Sequence, residues 1–378
     1  MMSVTGVLLT YEQQIIRWVE RENRSQPEAT PRLQLELLLA RISEGGGSPA
    51  SITLKSAETA PAEVTLGGNG GLVFVDVYSG QIVGKANTQV RQFFRSVTDW
   101  HRWVAQSGEG RPTGKAITGA ANLLFLGLVL SGMYLWLPRI WKWPQIRAVL
   151  FFRAGLGGKA RDFNWHNVIG IWCCIPLVLV VLGALVISYP WATNLVYSIT
   201  GTEPPKAAAP APPRPELKES PRYAGMNLAL ASVEEQVPGW QAITLRMPQA
   251  DAAQLAFTVD LVDRRGRPDK RFAVTVDRQS GEVVRSESFA DYNTGRKVRT
   301  WLRWIHTGEA GGIPGQTVAG VASAGAVVLV WTGLALAWRR FRSWQQRSRP
   351  NRTARLTQTG LPDVALDQQR GQAVIPDW

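Results

Sequence analysis

The sequence predicts a membrane protein. Its fold class is an α-helical transmembrane bundle of three full spans and a partial first span, carrying two copies of a small α+β outer domain. Three observations predict it. Blocks 116–137, 167–187 and 318–338 each run for about 21 residues without Asp, Glu, Lys or Arg, the length and composition of a bilayer-crossing helix. Most of the 16 Trp, among them Trp100, Trp103, Trp136, Trp143, Trp165, Trp191, Trp304 and Trp338, sit at or beside the ends of those blocks, as indole does at the headgroup level. The chain also repeats itself: VDVYSGQIV at 75–83 returns as VDRQSGEVV at 276–284, an offset of 201.

Residues 1–19 read as a partial first span with its outer extension. About ten apolar residues cannot cross a bilayer core, which takes about 20 in a helix, and the stretch lacks a basic start and a small-residue cleavage site. VTGVLLTY at 4–11 matches LGALVISY at 182–189 with Gly6 on Gly183, an offset of 177. The first residues therefore resemble the outer end of a span whose inner half is expected upstream of Met1.

Residues 20–98 form the first outer domain. A helical pattern at Leu33, Leu35, Leu37, Leu38 and Ile42 precedes the strand-like ASITL at 50–54, and a hairpin turns at Ser79-Gly80. Glycine-rich GGGSP (45–49) and GGNGG (67–71) are turn signals rather than phosphate loops, since no helix start with a Lys follows. Residues 99–138 carry a histidine segment and the second span, 139–165 a basic loop, and 166–189 the third span. Residues 190–300 repeat the outer domain, with AITL at 242–245 and a hairpin at Ser280-Gly281, after a Pro/Ala linker at 203–215. Residues 301–340 repeat the histidine segment and span, LSGM at 130–133 returning as WTGL at 331–334; 341–378 is a basic tail expected to be disordered. Two parallel halves imply a pseudo-two-fold axis along the membrane normal.

The net charge of +13 lies largely beside the spans. The 138–165 loop holds six Lys and Arg against Asp162, and the segment after 338 holds seven Arg before its first acid. Both belong in the cytoplasm by the positive-inside rule, which puts 12–112 and 190–312 outside. No nucleic-acid partner is expected. A transporter is disfavoured, because the apolar blocks hold no charged residue to form a pathway. Cys173 and Cys174, adjacent within a span, read as small packing residues.

All three histidines stand at span ends. His101 in DWHRW and His306 in LRWIHT occupy near-equivalent outer positions, 205 residues apart, and His166 in NWHN opens the third span on the inner side. Groups related by a pseudo-dyad can meet across it, and two neutral imidazoles make a pair of axial ligands for haem iron. With no CxxCH, such a haem is b-type. The plain alternative is an interfacial histidine beside Trp.

These pieces in this order (the TG and SG span endings, the Ser-Gly hairpins, Trp165-His166 and Ile305-His306-Thr307-Gly308) resemble the PepSY-associated transmembrane proteins over about residues 1–342. The resemblance implies four spans, two periplasmic PepSY-like domains and a place in the bacterial inner membrane. Its ferrisiderophore-reductase branch implies an enzyme that takes electrons from the quinone pool or a cytoplasmic donor and reduces ferric siderophore in the periplasm. By position, His101 and His306 would hold an outer haem b and His166 one side of an inner haem. Arg102 and Arg303, beside Trp at the span ends, read as partners for the propionates, with a plain membrane anchor as the alternative. A partner for His166 falls about eleven residues before Met1 by the 177 offset, so the reading frame is expected to continue upstream. The rival expectation is a non-redox PepSY protein that binds or inhibits periplasmic proteases.

Overall fold

Residues 1–25, 31–68, 70–136, 142–205, 222–248 and 252–348 are described by a computed structural model. Two short helices, α1 (Met2–Leu9) and α2 (Glu12–Val19), lead to the first half: α3 (Leu35–Glu44), strands β1 (Pro49–Lys55), β2 (Ala62–Leu66), β3 (Gly71–Val75) and β4 (Ile82–Lys85), then α4 (Thr88–Trp103). Next come α5 (Arg111–Trp136), α6 (Trp143–Leu150), α7 (Gly158–Ser188) and α8 (Pro190–Ile199). The second half follows: α9 (Met226–Gln236), β5 (Ala242–Arg246), β6 (Gln254–Asp260), β7 (Arg271–Asp277), β8 (Val283–Ser288), α10 (Thr294–His306) and α11 (Gly312–Ser348).

The two outer repeats join in one continuous antiparallel sheet of eight strands, ordered β4-β3-β2-β1-β5-β6-β7-β8. Each four-stranded meander alone would leave its first strand as an open edge; pairing β1 with β5 removes both edges. At the seam Thr53 stands opposite Thr244, their hydroxyls 2.8 Å apart. The helices above the seam exchange caps: Glu36 N–H donates to Asn227 Oδ1 at 3.0 Å, and Asn227 N–H donates to Glu36 Oε1 at 3.1 Å. The 191-residue separation is the same in both contacts, so like positions of the two halves meet about a local two-fold axis. Leu38, Leu39 and Ile42 of α3 share one buried core with Met226, Ala229 and Val233 of α9 and the inward residues of all but the outermost strands.

The two hairpins turn as their sequences require. Gly80 and Gly281 have φ of 74° and 71°, a region that suits glycine. Asp76 accepts hydrogen bonds from the Ser79 amide and hydroxyl, and Asp277 does the same for Ser280.

Three helical segments are long and apolar enough to cross a membrane: Gly108–Trp136, Gly158–Ser188 and Glu309–Arg347. Helix α7 is central, packed on α5, α10 and α11, while α1 packs on α11 and α4. Cys173 and Leu177 of α7 bury against Ala322, Ala326 and Leu329 of α11. Both cysteines are free and buried, and Gly325 leaves room for Cys173 Sγ, which a Cβ there would meet at 2.6 Å.

Two boundaries differ from the expectation. The basic segment 139–165 is not loop throughout: α6 opens on a proline in its first turn and α7 starts at Gly158. Asp162 is answered within α7 by Arg161 at 2.9 Å and from α11 by Arg339 at 2.8 Å, and the second pair ties α7 to α11. Helix α11 runs on to Ser348, where the Trp338–Phe341 and Phe341–Trp344 ring pairs, each 6.0 Å between centroids, stitch successive turns. Most of the 203–215 linker, Trp141 and the tail after 348 lie outside the described residues.

Candidate functional site

Helices α4 and α10 connect the outermost strand of each half to a span, and each opens with an asparagine cap. Asn87 Oδ1 accepts from the Val90 amide and Asn293 Oδ1 from the Arg296 amide, satisfying donors that a helix start leaves free. Fixed at that end, the helices deliver His101 and His306 in their last turns. The chain then turns sharply, through left-handed Val104 and Ala105 after α4 and through left-handed Gly308 after α10.

The two rings face one another with centroids 6.1 Å apart and planes at 46°. Each Nδ1 is occupied. His306 Nδ1 lies 2.8 Å from the Val180 carbonyl, an acceptor only, so Nδ1 carries the proton. His101 Nδ1 lies 2.8 Å from Thr5 Oγ1, whose own proton goes to the Met2 carbonyl at 3.0 Å; the imidazole is again the donor. Both rings thus keep an unprotonated Nε2, and among the described residues neither Nε2 makes a hydrogen bond. Burial pushes the His101 pKa down to about 4, with His306 adding to the shift. Burial lowers His306 as well. Two neutral imidazoles with free Nε2 lone pairs are chemically able to ligate a metal.

Small residues let the spans reach these rings. A Cβ on Gly6 would meet His101 Cε1 at 3.8 Å, and one on Gly183 would meet His306 Cβ at 2.8 Å. The third histidine is seated in the same manner. His166 Nδ1 is 2.9 Å from Thr332 Oγ1, which also contacts the Val328 carbonyl at 2.8 Å, and a Cβ on Gly333 would lie 3.4 Å from the His166 ring. The Trp136 ring packs edge-on to His166 at 6.4 Å. His166 and Gly183 lie on the same helix, so at 1.5 Å per residue His166 is about 25 Å from the His101–His306 pair along α7.

The family model of the PepSY-associated TM region matches residues 1–340. The chain belongs to this family. No curated protein matches it. In this PepSY-associated membrane protein the structure brings His101 and His306 together, and His166, the third and last histidine of the chain, stands apart from them. Arg102 lies over the Trp103 ring at 4.6 Å, beside Arg111 at 4.4 Å. Arg303 lies over Trp304 at 5.5 Å and lines a cavity on the outer side of α10. Reading the sequence alone missed Thr5, Val180 and Thr332, the groups that orient the rings. The signal for two of them was present: Thr5-Gly6 and Thr332-Gly333 are Thr-Gly pairs in which the Thr bonds a histidine and the Gly admits it. A backbone carbonyl such as that of Val180 leaves no mark in a sequence.

Proposed function

We propose that this membrane protein is a b-type haem reductase of the bacterial inner membrane. It takes electrons from the quinone pool or a cytoplasmic donor and reduces ferric siderophore in the periplasm, where the eight-stranded sheet forms the pair of PepSY-like domains. The observation that carries this reading is the His101–His306 pair. Two imidazoles bound to one iron put their ring centres about 6 Å apart, given metal–nitrogen distances of about 2.0 Å, and these rings stand at 6.1 Å. The donor set fits: both rings are neutral, and both Nδ1 atoms are held so that Nε2 is the free nitrogen.

His101 and His306 would hold the outer haem, and His166 one face of an inner haem. Haem bound there supplies a one-electron couple whose potential follows from axial ligation and burial. Thr5 and the Val180 carbonyl hold the imidazole tautomers and ring orientations. Gly6 and Gly183 let α1 and α7 approach the two histidines closely. Arg102 and Arg303, one residue after His101 and three before His306, supply positive charge for the propionates. Ferrous iron binds hard oxygen donors less tightly than ferric iron does, so reduction releases it from the siderophore.

The test is a pyridine haemochrome assay with protein quantitation on the purified protein, compared with His306→Ala. The expected result is a Soret band with a low-spin bis-histidine spectrum that the variant loses while it stays folded. A colourless protein would instead support the rival, a non-redox PepSY protein that binds periplasmic proteases.

A further inference from the structure

A cavity of about 280 Å³ opens between the last turn of α7, the β6–β7 connection and the outward side of α10. Guanidinium groups dominate its lining. Three are answered by acids: Arg271 by Asp260 at 2.7 Å, Arg267 by Asp269 at 2.6 Å and Arg296 by Glu287 at 2.6 Å. Arg264, Arg265, Arg299 and Arg303 also line it, and none of them makes an ion pair among the described residues. The one acid in the wall, Asp260, is already engaged by Arg271. A second cavity of about 380 Å³ shares Arg264 and Arg265 and contains Glu309, whose carboxylate accepts a bond from the Thr307 hydroxyl.

Arg264, Arg265, Arg299 and Arg303 are exposed to solvent around a wall that also contains Val186, Ile187 and Trp304. Glu12 and Glu309 lie near Arg265, but the gathered guanidinium groups still repel one another, and an anion would relieve that repulsion. Guanidinium recognises oxyanions through paired N–H bonds, which makes arginine the residue for planar carboxylate, catecholate or phosphate oxygens. Location adds a second constraint. Arg296, Arg299, Arg303 and His306 follow one another at spacings of three, four and three along α10, which places them on one helix face. Arg303 is only about 4.5 Å along the axis from His306 at 1.5 Å per residue. The cavity, which Arg303 lines, therefore lies within one helical turn of His306.

We propose that this cavity binds the ferric substrate, and that the substrate is an anionic chelate whose carboxylate or catecholate oxygens are taken up by Arg264, Arg265 and Arg299. Arg303 lies between the chelate and the outer histidine pair. The inference rests on the reductase reading for the identity of the occupant. The same oxyanion chemistry could come from a lipid headgroup phosphate, so the experiment separates the two sources.

The full-length protein in nanodiscs of zwitterionic lipid is dialysed against redox-inert gallium(III) chelates, and bound gallium is counted. Gallium(III) tris-catecholate carries a triple negative charge; gallium(III) tris-acetohydroxamate is neutral. The expected result is binding of the anionic chelate only, weakened about tenfold or more by the double substitution R265Q/R299Q, and weakened by added salt. The thermal melt of the double variant matches that of the parent, which shows that the fold persists whether or not haem is bound. Equal binding of both chelates, or binding unchanged in the double variant, would overturn the proposal. So would loss of binding in phosphatidylglycerol nanodiscs, since the cavity would then hold a lipid phosphate. Because gallium accepts no electron here, the two readings fail separately. Anion-selective binding without a Soret band removes the reductase and keeps the anionic-chelate site, and a Soret band without anion selectivity removes the site alone.

Discussion

Gly183 and His306 approach so closely that a Cβ on the glycine would stand 2.8 Å from the histidine's Cβ and 2.5 Å from the Leu302 carbonyl oxygen. Neither neighbour is the far end of a flexible side chain. Gly183→Ala must therefore push α10 off α7, an overpacking cost of about 1–3 kcal/mol. The counterpart Gly6 has ordinary room, with Ser323 Oγ at 3.5 Å and His101 Cε1 at 3.8 Å. Gly6→Ala is expected to be neutral or to stabilise by up to about 1 kcal/mol through helix propensity. Thermal melts in detergent and the haem spectrum check both. Equal tolerance at the two glycines would mean that α7 does not hold His306 as described.

Thr5 provides a test of how the rings are oriented. Thr5→Val keeps the shape but removes the acceptor 2.8 Å from His101 Nδ1, leaving that N–H without a partner. Losing such an orienting bond costs about 10- to 100-fold in metal affinity. If the proposed haem is bound there, the expected result is its faster loss to an apoprotein acceptor in Thr5→Val, and near-parental retention in Thr5→Ser. Thr332→Val should act on the His166 site only, since its hydroxyl lies 2.9 Å from that ring. Matching effects of Thr5→Val and Thr332→Val on one haem would contradict the separation of the two sites.

The spans and hairpins were legible because their causes are local. Charge-free runs about as long as a bilayer is thick, and Ser-Gly turns between alternating strands, need no distant partner. The proximity of His101 and His306 was legible through the repeat, since equivalent positions of a duplicated chain can meet on its axis. The joining of the two halves into one sheet was not. ASITL and AITL read as strands, but nothing in either says that Thr53 will face Thr244 rather than solvent; pairing across the seam depends on where the spans set the two halves. The start of α7 at Gly158 was hidden for a similar reason. Lys159, Arg161 and Asp162 look like loop until Arg339, far along the chain, comes to stand beside Asp162.

The shared sheet predicts how damage spreads. Glu36→Ala and Asn227→Ala each remove one cap bond, of 3.1 and 3.0 Å, from the start of the opposite helix, a cost of about 1 kcal/mol apiece. With one core beneath α3 and α9, either substitution should raise amide exchange in both β3 and β7 of the full-length protein. Exchange confined to one half after either change would show that the halves open independently, and the seam at β1 and β5 would not be cooperative.

Orientation in the membrane is the last prediction, and chain connectivity narrows it to two choices. Strand β4 leads through α4 and His101 into α5, and β8 leads through α10 and His306 into α11. The sheet and the outer histidine pair therefore share one end of the bundle. The far ends of α5 and α11 share the other with α6 and the start of α7, where Asp162 meets Arg339. That second end carries Lys142, Arg147, Arg153, Lys159 and Arg161, and Arg340, Arg342 and Arg347 follow at the end of α11. Short basic segments beside spans are retained in the cytoplasm, so the sheet should face the periplasm. Alkaline phosphatase, active only after export, should be silent when fused after Gly155 or Arg349 and active when fused after Thr200. The reverse pattern would invert the bundle. It would put His101, His306 and the arginine-lined cavity in the cytoplasm, and the reduction of a periplasmic chelate could not take place there.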